Sequence, residues 1–262
     1  MTLEDLRNSF ELEADKYFPF PSDQIYTDCY IVDPEGKNKQ MSVIVAAAKK
    51  EMVDERIKLL SDLGLTTDFV GINSIALANA INVLGYKEEK NPEPKGSLER
   101  NTAMAILDMG ESVSNLLILV NNFPRFTRDI YMGGRDFTKR ISNALGVSVE
   151  EAERLKAQPG NKLPEILNAC ETAIINIIQE LKLSFDYFST EKGYEITRLL
   201  LTGGASMLQG IDEIFAKNLE ISVSKWNPIA PLKVSSQIDR EELNNKSFKL
   251  GVVLGSALYH YD

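Results

Sequence analysis

A change of hydrophobic period in the second half of the chain restricts the fold more than any other feature. Runs rich in β-branched and apolar residues predict three short strands, joined by the turn sequences MGES and NNFP, and a spacing of three or four residues then predicts helices. The predicted elements are strands at 103–108, 114–120 and 126–131, helices at 134–145, 148–157 and 164–188, a strand at 196–201, a helix, a strand near ISVSKW and a helix-like C-terminal segment. A meander of strands followed by helices and further strands therefore forms one structural unit.

An α-β-β-α-β pattern precedes this unit. Its predicted elements are a helix from Thr2 to about Pro19, strands at 25–32 and 41–48, a helix ending at Gly64, and a short strand over TTDFV at 66–70. The first two strands flank DPEG, where Pro34 fixes the backbone and Gly36 permits a left-handed turn, so a hairpin is expected.

A largely apolar helix is predicted at 72–84, where Gly85 ends it, and it is expected to be buried on several sides. The following stretch, YKEEKNPEPKGSLERN, is charged and contains two prolines. It is the best linker candidate, and it separates residues up to about 90 from those after about 101.

Charge and composition exclude several classes of partner and site. The chain has 38 acidic and 29 basic residues and a net charge of -9, which disfavours nucleic acid and anionic membrane surfaces. Cys29 and Cys170 have neither CxxC spacing nor histidine neighbours, so a disulfide framework or a zinc site is not expected. No apolar run is long enough to span a bilayer, and the acidic N-terminus is unlike a signal peptide. We expect a soluble intracellular protein.

Familiar enzyme motifs are missing from the sequence. It contains no GxxxxGK[ST], GxGxxG, GxSxG or HExxH, and its single histidine is His260, near the end of the chain. Histidine-based nucleophilic catalysis is therefore excluded.

Two glycine-containing turns could hold a phosphate. In AILDMGES, Asp108 ends a strand and Gly110 follows, which suits a hydrated metal ion beside a phosphate or, equally, a hairpin turn with a solvated Asp. In MGGRDFTKRI, Gly134 stands before a helix and could present its N-terminal amides to an anion or allow close packing of that helix.

Two further segments have the same ambiguity. Glu153 and Lys156 lie on one helical face, where they could contact a ribose or form an ordinary i,i+3 ion pair. In LLLTGGASMLQGI, Gly203, Gly204 and Ser206 follow a strand, and the turn could leave room for a base or phosphate or serve only to reverse the chain.

Taken in order, these four segments resemble one known arrangement. AILDMGESVSNLLILVNN, GGRDFTKRI, AERLK and LLLTGGASMLQGI resemble the second phosphate motif, the segment after the third strand, the ribose-contacting helix and the adenosine motif of the actin-like ATPase superfamily. EADKYFPFPSDQIYTDCYIV with its α-β-β-α-β pattern resembles the inserted subdomain of the type IV pilus assembly protein PilM family, relatives of the cell-division protein FtsA. The resemblance covers nearly the whole chain. It implies an α/β, actin-like ATPase (ribonuclease H-like) fold with an inserted α+β subdomain.

The resemblance also implies ligands and residue roles. ATP and Mg are the implied ligands, with Asp108 toward the metal, and the implied pocket residues are Asp108, Gly110, Gly134, Glu153, Lys156, Gly203, Gly204 and Ser206. FVGINSIALA resembles the helix whose N-terminal Gln or Glu orients the attacking water, which places Asn73 at the candidate catalytic position. Because Asn is shorter and cannot act as a base, at most weak ATPase activity is expected.

The same resemblance divides the chain into domains. Residues 1–71 correspond to the inserted subdomain, 72–100 to a remnant of the first actin-like domain and a linker, 101–247 to the second domain, and 248–262 to a C-terminal helix returning to the first domain. The family's first phosphate motif, DxGxxxxK, would precede Met1, so the fold is expected to be N-terminally incomplete. Apolar surface on the helix at 72–84 and on the C-terminal helix is then expected to be exposed.

The implied function is a cytoplasmic, ATP-binding scaffold at the inner face of the bacterial inner membrane. It would dock the N-terminal cytoplasmic tail of a PilN-type membrane protein, reach the membrane only through that partner, and could form homo-oligomers. The alternatives are an FtsA-like filament-forming division protein, which would carry a C-terminal amphipathic membrane helix, and a sugar or acetate kinase of the same superfamily.

Overall fold

The computed structural model describes residues 2–33, 41–86 and 101–260. The chain divides into two compact units, Met1–Ile72 and Asn73–Asp262. Pro34, Gly36 and most of the predicted linker lie outside the described residues.

The described part of the first unit contains two α-helices and a two-stranded antiparallel sheet. Its elements are α1 (Leu3–Glu13), β1 (Ile25–Asp33), β2 (Ser42–Lys49) and α2 (Lys50–Asp62). Thr2 caps α1 as predicted, because its hydroxyl accepts a hydrogen bond from the Asp5 amide at 3.1 Å and its own amide donates to the Asp5 carboxylate at 2.8 Å. β1 and β2 pair in antiparallel register, with Ile25 opposite Lys49.

The prediction of a strand over TTDFV is wrong. Residues 65–72 contain no strand, and most of their side chains are exposed. Thr and Val favour extended backbone, but a strand also needs a neighbour to accept and donate its backbone hydrogen bonds. In the described part of the first unit, β1 and β2 pair only with each other, and neither forms a ladder with this segment.

The second unit contains the remaining elements, and the predicted ones are confirmed with shifts of a few residues at their ends. The strands are β3 (Thr102–Met109), β4 (Ser114–Val120), β5 (Phe123–Ile130), β6 (Glu195–Thr202) and β7 (Ser222–Lys225). The helices are α3 (Asn73–Leu84), α4 (Gly134–Leu145), α5 (Val149–Ala157), α6 (Leu163–Lys192), α7 (Ile211–Leu219), α8 (Arg240–Lys246) and α9 (Gly251–Ala257). The sequence interpretation did not include α8, although Asp239 accepts hydrogen bonds from two amides of its first turn.

The five strands of the second unit form one mixed sheet in the order β5-β4-β3-β6-β7. β3 pairs antiparallel with β4 and parallel with β6, and β6 pairs parallel with β7. Because β3 and β6 run in the same direction, the loops that leave their carboxyl ends emerge at the same edge of the sheet.

Both faces of the sheet are covered, so β3 and β6 are apolar on both sides. One face packs against α4, α6 and α7, with Phe137, Ile174 and Phe215 in its core. The other face packs against α3, with Leu77, Ile81 and Trp226 in its core. The Trp226 indole donates to the Gly85 carbonyl at 2.9 Å, which joins the end of α3 to the residue after β7.

Helix α9 crosses α3 at very close range. A Cβ at Gly255 would overlap the Ala76 carbonyl, and a Cβ at Gly251 would lie 3.1 Å from Leu77. Both helices belong to the compact unit Asn73–Asp262, and their assignment by resemblance to a first actin-like domain stays a prediction. Their outer surfaces expose apolar side chains, including Val83 and Val253. The wider division into domains stays a prediction.

We predict that Gly255→Ala destabilises the second unit. The added methyl group has no space against the Ala76 carbonyl, so α9 must move away from α3, at a cost of about 3 kcal/mol. Urea unfolding followed by circular dichroism measures the change. Val253→Ala on the exposed face of α9 is the matched control and is expected to change the unfolding free energy by less than about 0.5 kcal/mol. Equal stability of the two variants would contradict the crossing.

Candidate functional site

The eight predicted pocket residues converge where the carboxyl ends of β3 and β6 meet. Asp108, near the end of β3, lies opposite Thr202, the last residue of β6. Gly110 and Gly203 therefore begin neighbouring loops at this edge. The N-terminus of α4 is attached to the first of these loops by hydrogen bonds.

Asp108 carries a carboxyl group that none of the described side chains neutralises. The side chain is partly buried, and among the described residues no hydrogen bond or ion pair reaches it. Burial raises the pKa of Asp108 above its ordinary value. The predicted hairpin turn is present, since β3 and β4 pair antiparallel on either side of it, and the metal-binding role of Asp108 stays a prediction.

Gly203 allows the second loop to approach Asp108. Its φ is +82°, and a Cβ there would overlap the Asp108 carboxylate and lie 2.6 Å from the Met109 amide nitrogen. Any other residue would separate the two loops. The Ser206 hydroxyl, fully buried, donates to the Gly203 carbonyl at 2.7 Å and closes the turn.

The first amides of α4 bond to the β3–β4 turn. The Gly134 amide donates to the Gly110 carbonyl at 2.9 Å, and the Arg135 amide donates to the Glu111 carbonyl at 2.8 Å. A Cβ at Gly133 would lie 2.6 Å from the Gly110 oxygen. These amides serve backbone packing, so of the two readings left open for this glycine pair the geometry favours packing. A ligand role for Gly134 stays a prediction.

Lys156 is the centre of a polar network that joins α5 to α4. Its ammonium group donates to the Thr138 hydroxyl at 2.7 Å, to the Glu153 carboxylate at 2.7 Å and to the Gly134 carbonyl at 3.1 Å. The Thr138 hydroxyl also contacts the Glu153 carboxylate. Lys156 is 14% exposed and Glu153 is 52% exposed, so the carboxylate is open to a ligand while the ammonium group is held in place.

The charge of Glu153 is maintained by its neighbours. Burial alone would raise the pKa of Glu153, but the hydrogen bonds from Lys156 and Thr138 hold that pKa below its ordinary value. The positive charge of Lys249 adds to this effect. The carboxylate therefore stays ionised at neutral pH and can accept hydrogen bonds from hydroxyl groups.

Sequence reasoning missed two residues of this arrangement. Thr138 lies one helical turn after Gly134, and that spacing could have identified it. Lys249 lies far along the chain, and its side chain covers Gly204, where a Cβ would come within 3.1 Å of it. The neighbouring Phe248 carbonyl accepts hydrogen bonds from the Gly203 amide at 2.8 Å and the Thr202 hydroxyl at 3.1 Å. No local sequence pattern indicates this long-range contact.

Asn73 stands apart from the other predicted residues. It is the exposed first residue of α3, which packs on the face of the sheet opposite to α5. No described hydrogen bond or ion pair joins it to Asp108 or to the Lys156 network.

The carboxylates at this site suit a metal ion whose other ligands come from a bound molecule and not from the protein. Within the described ranges, no group of three or more His, Cys, Asp and Glu side chains could hold a metal alone. Mg²⁺ commonly binds through one or two carboxylates together with substrate phosphates. The unpartnered Asp108 fits that mode of binding.

Comparison with known proteins identifies the family. A profile described as type IV pilus assembly protein PilM matches residues 1–261. The chain belongs to the PilM family. A solved structure named PilM-PilN type IV pilus biogenesis complex superposes with a TM-score of 0.79 at 24% identity, covering 98% of this chain and 73% of that chain.

More distant relatives agree with this assignment. The cell division protein FtsA of Enterococcus faecalis is 25% identical over 223 residues, which are 74% of this chain and 48% of that protein. The chain thus spans about half the length of that curated relative. MreB5 of Spiroplasma citri bound to AMPPNP superposes with a TM-score of 0.53 at 13% identity, covering 81% of this chain and 65% of that chain. The predicted actin-like ATPase fold is confirmed. No helix in the described residues has the length and apolarity of a membrane span.

We predict that Asp108→Asn stabilises the ligand-free protein at neutral pH. The folded pKa of Asp108 is raised, so ionisation favours the unfolded chain and stability falls as the pH rises through the folded pKa. The variant's advantage should be present at pH 7 and should disappear below the unfolded value of 3.8. Urea unfolding at a series of pH values measures it. Asp129→Asn, on exposed β5, is the control, and a pH-independent difference for Asp108→Asn would contradict the assignment.

Proposed function

We propose that this PilM-family protein is an ATP-binding scaffold of a type IV pilus or related secretion machine. It acts at the inner face of the bacterial inner membrane and docks the cytoplasmic tail of a PilN-type protein. The observation that carries the nucleotide part is the unpartnered Asp108 carboxylate, held against Gly203 and next to the loop that leads to α4. Membership of the PilM family and the similarity to the solved PilM-PilN complex support the remainder.

In the proposed complex each part of the site has a separate task. Asp108 holds Mg²⁺, which shields the charge of the phosphates when bound. The ionised Glu153 accepts hydrogen bonds from the ribose hydroxyls, while Lys156 keeps that carboxylate oriented. The backbone of Gly203 and Gly204 forms the wall for the adenosine, and the flexible Lys249 side chain that lies over Gly204 would move aside.

Nucleotide binding in this proposal is structural or regulatory. Asn73, which only the family resemblance assigns to the catalytic position, lies apart from the site and carries a neutral amide that cannot accept a proton from water at neutral pH. Hydrolysis is therefore weak at most, and the bound state itself is the signal. Because the sequence also resembles FtsA, a filament-forming protein is the second candidate, and electron microscopy of the ATP-bound protein would detect filaments.

The first unit is the proposed docking surface for the PilN-type tail. It exposes several large apolar side chains, among them Leu12, Tyr30, Met52 and Leu63. Exposed apolar side chains are candidates for contact with a partner protein. With no membrane-spanning helix among its described residues, the protein reaches the membrane through this partner.

We predict that Gly204→Val abolishes binding of labelled Mg-ATP. The new side chain would meet the flexible end of Lys249, which can move, so the fold should persist while the adenosine wall is filled. Fluorescence titration should give an affinity at least tenfold lower than that of the unmodified chain. Thr127→Val, at an exposed position on β5, is the control and should bind normally. Equal affinity of the Gly204→Val variant would refute the site.

We predict that Tyr30→Ser weakens binding of a peptide with the sequence of the PilN-type tail. Tyr30 is 61% exposed on the outer face of β1, and losing its ring removes apolar contact area from the proposed surface. Fluorescence anisotropy should show a loss of at least threefold. Tyr131→Ser is the matched control, since Tyr131 is 82% exposed in the second unit. A larger loss of affinity for Tyr131→Ser than for Tyr30→Ser would show that the tail binds outside the proposed surface.

A further inference from the structure

A separate concave pocket lies at the opposite end of the sheet from Asp108. Its volume is about 230 Å³, and it is bounded by the amino-terminal ends of β3 and β6 and by the β4–β5 turn. β3 extends from Thr102 at the pocket to Met109 beside the site, so at about 3.3 Å per residue the two places are about 20 Å apart. None of the predicted nucleotide residues lines this pocket.

Among the described residues that line the pocket, Arg198 alone carries a full charge. Its guanidinium carbon lies 5.4 Å from the centre of the Tyr86 ring, so the cation stacks on an aromatic face. Within the described part of the chain, no hydrogen bond or ion pair engages this guanidinium. A half-buried arginine that is held by stacking, with its planar fork of donors unpaired, is prepared to bind an oxyanion.

The rest of the lining supplies polar groups and a small apolar floor. Thr102 and Thr197 contribute hydroxyls, and Asn121 and Asn122 contribute amides. Both asparagines have positive φ values, 50° and 67°, and the Asn122 carbonyl accepts a hydrogen bond from the Asn82 side chain at 3.1 Å. The turn that carries the two amides is therefore fixed in position.

Size and charge restrict the ligand. Pockets for drug-sized ligands usually measure about 300–1,000 Å³, so 230 Å³ suits a group smaller than a nucleotide. A phosphate dianion is usually bound by several cations or by the amides of a helix N-terminus. A single guanidinium with neutral donors around it matches one negative charge.

We propose that the pocket formed by Arg198 and Tyr86 binds a single carboxylate group, carried by a small organic acid or by an acidic side chain. The guanidinium fork pairs with both carboxylate oxygens. The threonine hydroxyls and asparagine amides of the lining contact the rest of the ligand.

The test uses NMR of the 262-residue chain at constant ionic strength. The Nε–Hε signal of Arg198 is followed during titration with sodium acetate, with N-acetyl-glycyl-glutamyl-glycinamide, with its glutaminyl counterpart and with inorganic phosphate. Saturable shifts are expected with acetate and the glutamyl peptide, and none with the glutaminyl peptide. Equal affinity for the first two indicates a small acid, whereas a peptide at least tenfold tighter indicates an acidic side chain, and either result supports the proposal.

Variants assign the binding to the pocket. Arg198→Gln should abolish the shifts of the Asn121 and Asn122 backbone amides, and Tyr86→Leu should weaken binding at least threefold because the guanidinium loses its support. Arg154→Gln, which removes an exposed arginine that pairs with Glu151, should change nothing. The proposal is overturned if no carboxylate gives saturable shifts, or if phosphate binds more tightly than acetate. If Arg198→Gln fails to fold, the Tyr86→Leu titration still decides.

Discussion

The parallel pairing of β3 with β6 is the interaction on which the candidate site depends. These strands lie side by side in the sheet although their paired positions, such as Asp108 and Thr202, are 93 or 94 residues apart in the chain. Their parallel direction places the DxG turn and the GGAS turn at one edge. Helices α4 and α5 then pack over the same face and bring Glu153 and Lys156 beside α4. Without this pairing, the four glycine- and charge-containing segments would remain unrelated turns.

Close approach of backbone to backbone is the second constraint. Gly133 packs on the Gly110 carbonyl and Gly203 packs on Asp108, so neither position has space for a side chain. These contacts hold the Asp108 carboxylate in a partly buried position, where no described residue pairs with it, and burial there disfavours its ionised form. The cation of the proposed nucleotide complex would remove this cost.

The candidate site is also connected to the α3–α9 crossing. The Phe248 carbonyl accepts hydrogen bonds from Gly203 and Thr202, and α9 begins three residues later. Gly251 packs near Leu77 and Trp226, and Gly255 packs on Ala76. A displacement of the Gly203 loop would therefore act on α9 and α3 through a short and tightly packed segment.

The sequence by itself determined most helices and strands of the second unit. The spacing of apolar residues and the glycines at helix ends reflect local backbone preferences, which are encoded in short segments. It also indicated Asp108, Gly203 and the Glu153–Lys156 pair as candidates, since their residue types carry chemistry at recognisable spacing. The prediction of a strand over TTDFV is wrong because strand propensity does not provide a neighbouring strand to pair with.

Tertiary structure alone decided which alternatives hold. Whether Asp108 is solvated, whether the α4 amides are free, and whether Lys249 covers Gly204 depend on contacts between segments far apart in the chain. Such contacts arise from burial and packing in three dimensions, and no local pattern of residues encodes them.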